Sequence, residues 1–119
     1  MWTLEGTTQY ERDFKWYGKK HPRELAAVLR NLCRYQGQLN NVDNAALVKA
    51  GYLHDEPQGV VAIDQKGGGS SLQETRLYAY PDQAKYLIYL ITIGNKDTQQ
   101  DDLNLCRDFV EQLDKKIES

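Results

Sequence analysis

Two cations flank one predicted β-hairpin, and their spacing suits the recognition of a phosphate group. Arg76 lies in the alternating residues 72–80, and Lys96 comes shortly after the mainly apolar residues 85–93. The planar guanidinium of an arginine donates two charge-assisted hydrogen bonds to phosphate. Reactions at a phosphate, such as the attack of an RNA 2′-hydroxyl on the neighbouring phosphorus, place negative charge on the phosphoryl oxygens, which such donors stabilise. Arg76 and Lys96 are therefore candidate catalytic residues, although Lys96 could equally be a solvated turn lysine.

Two tyrosines are predicted to share a face of the strand with Arg76. Side chains alternate along a strand, so Tyr78 and Tyr80 point the same way as Arg76. Tyrosine rings stack on nucleobases, which makes Tyr78 a candidate in the catalytic group and Tyr80 a candidate RNA contact. Tyrosine also packs well within sheets. Arg76, for its part, could simply pair with Glu74 or with an acidic group of the last helix.

Proton transfer in such a reaction requires a general acid and a general base, and histidine is the usual choice. The sequence contains two histidines, His21 and His54. His54 lies in a predicted loop just before the strands, so it is the better catalytic candidate. No partner for His54 is predicted, and an inert loop histidine is the alternative.

Further basic residues lie on predicted helix and loop surfaces. Lys66 precedes a glycine run that lacks the lysine and Ser/Thr spacing of a phosphate-binding P-loop. Arg30 and Arg34 fall outside the apolar stripe of their helix, so they form either a solvated face or an RNA contact. Asp64 and Glu74 could be imagined as metal ligands, but no histidine or cysteine spacing supports a metal site. We expect neither a metal nor a cofactor.

Composition is that of one globular domain spanning residues 1–119. A net charge of −2 and a pI of about 5.6 disfavour a general nucleic-acid binder. Charge is uneven, however, because residues 1–36 are rich in lysine and arginine and the segment from Asp97 is acidic. Cys33 and Cys106 fall in apolar helical stripes, which predicts buried free thiols and a cytoplasmic location. No signal peptide or membrane span is predicted.

The first third of the chain predicts a short strand and a helical hairpin. Residues 2–5 alternate weakly, and Thr8 with Glu11 forms a capping box at the start of a helix over residues 9–20. Pro22 suits the first turn of a second helix, which Gly37 is predicted to end. The predicted apolar stripes of the two helices are Tyr10, Phe14 and Tyr17, then Leu25, Val28, Leu29, Leu32 and Cys33.

The remainder predicts three consecutive strands and a last helix. Residues 55–57 form a loop, the strands cover 59–65, 72–80 and 85–93, and a turn occupies 81–84. The third strand is apolar on both faces, which is typical of a strand covered on both sides. Asp101 or Asp102 could cap the last helix, whose stripe is Leu103, Cys106, Val110, Leu113 and Ile117. The predicted fold is α+β: an N-terminal strand and helical hairpin on a small antiparallel sheet, with a C-terminal helix and with helices over one face and an end.

This pattern resembles the RelE/ParE toxin superfamily, including HigB-like members of bacterial toxin–antitoxin pairs. The family order is a short strand, a helical hairpin, a three-stranded antiparallel run and often a last helix. Residues 74–80 (ETRLYAY) resemble the arginine-bearing strand of the family, and residues 85–94 resemble its apolar central strand with a closing glycine. Residues 95–99 (NKDTQ) resemble the short basic segment before the final helix.

The resemblance implies the toxin of a type II toxin–antitoxin pair. Such a toxin is a metal-independent, ribosome-dependent endoribonuclease that cleaves mRNA and inhibits translation, or, in the ParE branch, a gyrase inhibitor. By position, Arg76 resembles a catalytic arginine and Lys96 the basic residue after the central strand. The implied partners are a cognate antitoxin and mRNA on the ribosome. Residues 99–102 lack the tyrosine that RelE-type members often carry there, so a non-catalytic binding protein of the same fold is the alternative.

Overall fold

Five strands and three α-helices are the main elements of the described part of the chain. The computed structural model describes residues 1–118, and their side chains as far as residue 116. Its main elements are β1 (Thr3–Gly6), α1 (Thr8–Lys20), α2 (Pro22–Val42), β2 (Leu53–Asp55), β3 (Val61–Asp64), β4 (Thr75–Asp82), β5 (Leu87–Asn95) and α3 (Gln99–Glu118). Short 3-10 helices cover Ala45–Leu47, Pro57–Gly59 and Lys96–Thr98. None of the described helices has the length and apolar character needed to cross a bilayer.

The strands form one mixed sheet in the order β1-β5-β4-β3-β2. The α+β class and the C-terminal helix are confirmed, but the prediction of a purely antiparallel sheet is wrong. β1 pairs in parallel with β5, and β2 adds an antiparallel strand beside β3 where a loop was predicted. A strand of three residues is too short to show alternation, and the partner of β1 lies more than eighty residues away. Neither pairing therefore leaves a local pattern in the sequence.

Helices cover both faces of the sheet, and not one face and an end as predicted. The α1–α2 hairpin packs on the face that carries Leu77 and Ile93, and α3 packs on the opposite face through Cys106 and Val110. The prediction that β5 is covered on both sides is therefore confirmed. Burial on both faces also explains why this strand has no polar alternation.

Both helices of the hairpin have termini that differ from the predicted ones. Thr7, one residue before the predicted cap, accepts a hydrogen bond from the Tyr10 amide at 3.0 Å. α2 continues past Gly37 and ends at Val42, where Asp43 adopts a left-handed conformation with φ 60°. Burial of Leu39 beyond the glycine offsets the cost of a helical glycine, which is about 1 kcal/mol.

The predicted helical stripes need two corrections, because Phe14 and Cys33 are exposed. Cys33 lies outside the buried side of α2, which continues instead along Tyr35 and Leu39. Cys106 is buried as predicted. The side chain of Ile117, the last member of the predicted α3 stripe, lies outside the described residues.

The entrance to α3 is capped by Asn95, and not by Asp101 or Asp102 as predicted. The Asn95 side chain accepts hydrogen bonds from the amides of Asp97 and Thr98 at 2.8 and 3.1 Å, and Thr98 Oγ1 accepts from the Asn95 amide. Asp102 approaches β5 so closely that a Cβ at Gly94 would lie 1.7 Å from its Oδ2. Glycine at this position therefore allows α3 to pack against the strand.

Candidate functional site

Six charged side chains gather where β2, β3 and β4 meet, and we name this group the charged corner. Its members are His54, Glu56, Asp64, Lys66, Glu74 and Arg76. Strand register explains their proximity, because Asp64 lies opposite Arg76 and His54 lies opposite Ala62, two residues before Asp64. Residues two apart on a strand share a face. The structure thus brings together three candidates from the sequence, His54, Lys66 and Arg76.

His54 has a carboxylate partner that the sequence did not predict. Its Nε2 lies 2.7 Å from Oδ2 of Asp64, which is buried at the end of β3. The other carboxylate oxygen of Asp64 accepts a hydrogen bond from the Lys66 amide at 2.8 Å. The imidazole keeps 33% of its surface exposed. A histidine held by a buried carboxylate and open to solvent is suited to general acid–base catalysis.

The loop after β3 is fastened to α2 by a buried asparagine. Asn31 Nδ2 donates hydrogen bonds to the carbonyls of Asp64 and Lys66, each at 2.9 Å. Arg30 donates to the Gly67 carbonyl at 3.1 Å, and the Lys66 ammonium donates to the Gly51 carbonyl at 3.0 Å. Sequence reasoning missed Asn31, although a polar residue among the apolar positions of a helix predicts a buried hydrogen bond.

Arg76 lies between two carboxylates. Its Nη1 is 3.6 Å from Oε2 of Glu56, and its Nε is 3.4 Å from Oε1 of Glu74. Pairing with Glu74 was the alternative considered from the sequence, while the second acid comes from the end of β2 and not from α3. The Arg76 side chain is 21% exposed. An incoming phosphate would therefore compete with carboxylates that already hold the guanidinium in place.

The two tyrosines of β4 occupy different environments. Tyr78 is fully buried beneath α3, and its hydroxyl has no hydrogen-bond partner among the described residues. Burial raises the pKa of Tyr78, and its ring is not accessible to a nucleobase. Tyr80 remains partly exposed beside Gly59. Four residues along a strand place it about 13 Å from Arg76.

The remaining basic candidates surround the corner without joining its ion pairs. Lys96 is exposed in the 3-10 helix that begins two residues after Gly94, the register partner of Arg76. Arg34 lies over the ring of Tyr52, with its Cζ 5.0 Å from the ring centroid. It also donates to Asn31 Oδ1 at 3.4 Å. Lys96 and Arg34 are therefore additional cations near the charged corner that a polyanion could contact.

The function of the charged corner cannot be assigned from a metal site or from a known relative. Within the described part of the chain, no group of three or more His, Cys, Asp or Glu side chains could hold a metal ion. Comparisons with protein-family models, curated proteins and solved structures find no match to this chain. Function must therefore be inferred from the geometry of the charged corner and from the residues that carry the sequence resemblance.

Proposed function

We propose that this chain is the toxin of a type II toxin–antitoxin pair and a RelE/HigB-like endoribonuclease. It would cleave mRNA on the ribosome without a metal ion and so inhibit translation in the cytoplasm. The observation that carries the proposal is the 2.7 Å contact between His54 and Asp64 on the sheet face that also bears Arg76. The order of strand, helical hairpin, antiparallel strands and C-terminal helix supports the proposal as well.

The proposed reaction is an attack of the RNA 2′-hydroxyl on the adjacent phosphorus. His54 accepts the hydroxyl proton while Asp64 keeps the imidazole oriented. The O2′–P bond forms as the P–O5′ bond breaks, and the 5′-oxygen leaves with a proton from solvent. Arg76 stabilises the extra negative charge on the phosphoryl oxygens, an effect typically worth about 3–4 kcal/mol for one preorganised donor.

Residues around the corner would hold the RNA backbone and one base. Lys66, Lys96, Arg30 and Arg34 supply cations, and the partly exposed Tyr80 supplies a ring. Tyr78 is left out of this role because it is buried. A cognate antitoxin that laid a helix or strand over Arg76 would block the reaction.

A non-catalytic binding protein of the same kind, such as a gyrase inhibitor or an inactive relative, is the second candidate. The specific observation in its favour is the double pairing of Arg76 with Glu56 and Glu74. An arginine neutralised in this way is a weaker phosphate ligand than a free one. The surface would then act by docking and not by chemistry.

Controlled expression in a bacterial host separates the two candidates. Wild-type chain should arrest growth and produce codon-phased mRNA 5′ ends that primer extension detects. Arg76→Ala should restore growth and remove these ends, while Arg12→Ala, a change at an exposed helical position, should behave as wild type. Circular dichroism checks that the variants fold. Intact mRNA with DNA damage would support the gyrase inhibitor, and full toxicity of Arg76→Ala would refute the proposed role of Arg76.

A further inference from the structure

A groove between α1 and α3 lies apart from the charged corner, and we name it the α1–α3 groove. It consists of two adjoining cavities of about 310 and 280 Å³ that share Gln9 and Leu105. Its walls are helical stripes, Gln9, Asp13 and Trp16 on α1 and Asp101, Leu105 and Asp108 on α3. Their spacings of three and four residues place each set on one helix face.

The groove is lined by acidic side chains and by no basic ones. Asp13, Asp101, Asp102 and Asp108 line it, and none of its lining residues is lysine, arginine or histidine. Asp108 pairs with the exposed Arg107 at 3.5 Å. Over residues 1–116, the other three aspartates form no ion pair. The negative charge of these aspartates would therefore attract a positively charged ligand, whereas it would repel RNA phosphates.

Apolar side chains in the same groove are exposed without a covering element. Trp16 is 49% exposed and Leu105 is 41% exposed, which is high for such large apolar residues. Ile91 and the partly buried Phe109 lie beside them. Exposed apolar surface with an acidic rim is typical of a protein-docking site, and the ring of Trp16 also attracts cations.

The sheet edge beneath the groove cannot accept another strand. β1 covers β5 only as far as Leu90. Beyond it, Thr7 Oγ1 donates to the Ile91 carbonyl at 2.7 Å, and the Ile93 amide donates to Asp13 at 3.0 Å. These bonds occupy main-chain groups that an added strand would need. An occupant must therefore dock through its side chains, as a helix does.

We propose that the α1–α3 groove binds a basic amphipathic helix of a partner protein. Its apolar residues would contact Trp16 and Leu105, and its lysines or arginines would face Asp13 and Asp101. The wall on α3 runs from Asp101 to Gln112, which is about 16 Å or three helical turns. This inference does not depend on ribonuclease activity.

Calorimetric titration of the full chain with synthetic helices tests the proposal. The probe is a peptide of about 18 residues that carries leucine on one face and lysine on the other, and its control carries glutamate in place of lysine. The lysine peptide should bind, with affinity that falls as salt rises, while the glutamate peptide should not. In amide spectra, the lysine peptide should shift the signals of Trp16 and Leu105.

Matched variants locate the binding on the groove. Leu105→Gln should weaken the lysine peptide about tenfold or more, and Asp101→Asn should weaken it less. Leu47→Gln and Glu111→Gln change exposed residues outside the groove and should leave binding unchanged. The proposal would be overturned if the two peptides bound equally well, or if neither groove variant weakened the binding of the lysine peptide. So would a self-association of the chain that Leu105→Gln abolishes, because a second copy would then be the occupant.

Discussion

The carboxylates of the charged corner and those of the α1–α3 groove have different kinds of partner. In the corner, Asp64 lies beside His54, and Glu56 and Glu74 both lie beside Arg76. In the groove, Asp13 and Asp102 are held by neutral donors, including the hydroxyls of Thr92 and Thr98. Each carboxylate of the corner thus lies beside a basic side chain of the same chain, whereas none of the residues that line the groove is lysine, arginine or histidine.

Burial and two neighbouring carboxylates raise the pKa of Asp102 in the groove. Its side chain is nearly fully buried, and burial is the main cause that raises its pKa above the ordinary aspartate value. The nearby charges of Asp13 and Asp101 raise the pKa further, while the hydrogen bond from Thr98 opposes the shift. If both proposals hold, the acidic residues of the two regions serve different ends, because Asp64 would orient a catalytic histidine and the groove aspartates would attract a partner.

The largest expected effect comes from removing the imidazole of the corner. His54→Gln keeps a hydrogen-bond donor for Asp64 but cannot exchange protons, so cleavage of ribosome-bound mRNA should slow by about 10²–10⁴-fold. The matched control is His21→Gln, which changes the other histidine and should cleave at the wild-type rate. Gel analysis of cleavage products gives the rates. Unchanged cleavage by His54→Gln would remove His54 from the reaction.

A smaller effect should follow when the corner loses its attachment to α2. Asn31→Ala deletes the donor to two carbonyls, so the free energy of unfolding should fall by about 1–3 kcal/mol. Urea denaturation measures the loss. Asn41→Ala, at an exposed position near the end of the same helix, is the control. If the two variants were equally stable, Asn31 would not be what holds the loop.

The smallest effect concerns pH and the groove. Because the folded state raises the pKa of Asp102, it binds that proton more tightly than the unfolded chain does. The ionised side chain therefore costs stability at neutral pH, and the cost disappears as pH falls toward the ordinary value of 3.8. Asp102→Asn should raise the melting temperature at pH 7 and lose this advantage near pH 3.5.

The exposed neighbour provides the control for this titration. Asp101→Asn removes a charge from the same helical turn without relieving burial, so its melting temperature should stay close to wild type. A melting temperature of Asp102→Asn that is lower than wild type at pH 7 would show that the carboxylate stabilises α3 instead of costing stability.

Sequence patterns predicted the secondary-structure elements well, but they predicted the pairing of strands and of side chains poorly. The two-sided apolar strand β5 and the burial of Cys106 follow from periodicity, which is a local property. The partnership of His54 with Asp64 depends on β2, a strand of three residues that shows no period. Alternation also placed Tyr78 and Tyr80 on one face, but it could not show that α3 would cover one ring and leave the other partly open. Whether α3 covers a given ring depends on tertiary packing.

Site residues were predicted as single side chains, and the only partner considered that the structure contains is Glu74 beside Arg76. Arg76, His54 and Lys66 stood out by residue type, since cations and histidines suit phosphate chemistry. Asp64 was considered only as a metal ligand, and Asn31 was not considered. Asn31 could have been recognised as a polar residue among the apolar positions of its helix, but its partners, like the partner of Asp64, depend on contacts between separate elements.

We propose that His54 and Arg76 act on the same phosphate within one site, and a double-variant cycle can test whether they do. Cleavage rates of ribosome-bound mRNA are measured for wild type, His54→Gln, Arg76→Ala and the double variant. Residues that act as a unit show strongly non-additive losses, so we predict that the double variant is nearly as active as the weaker single variant. Losses that multiply, or single variants that cleave as wild type does, would show that the two residues do not act as a unit.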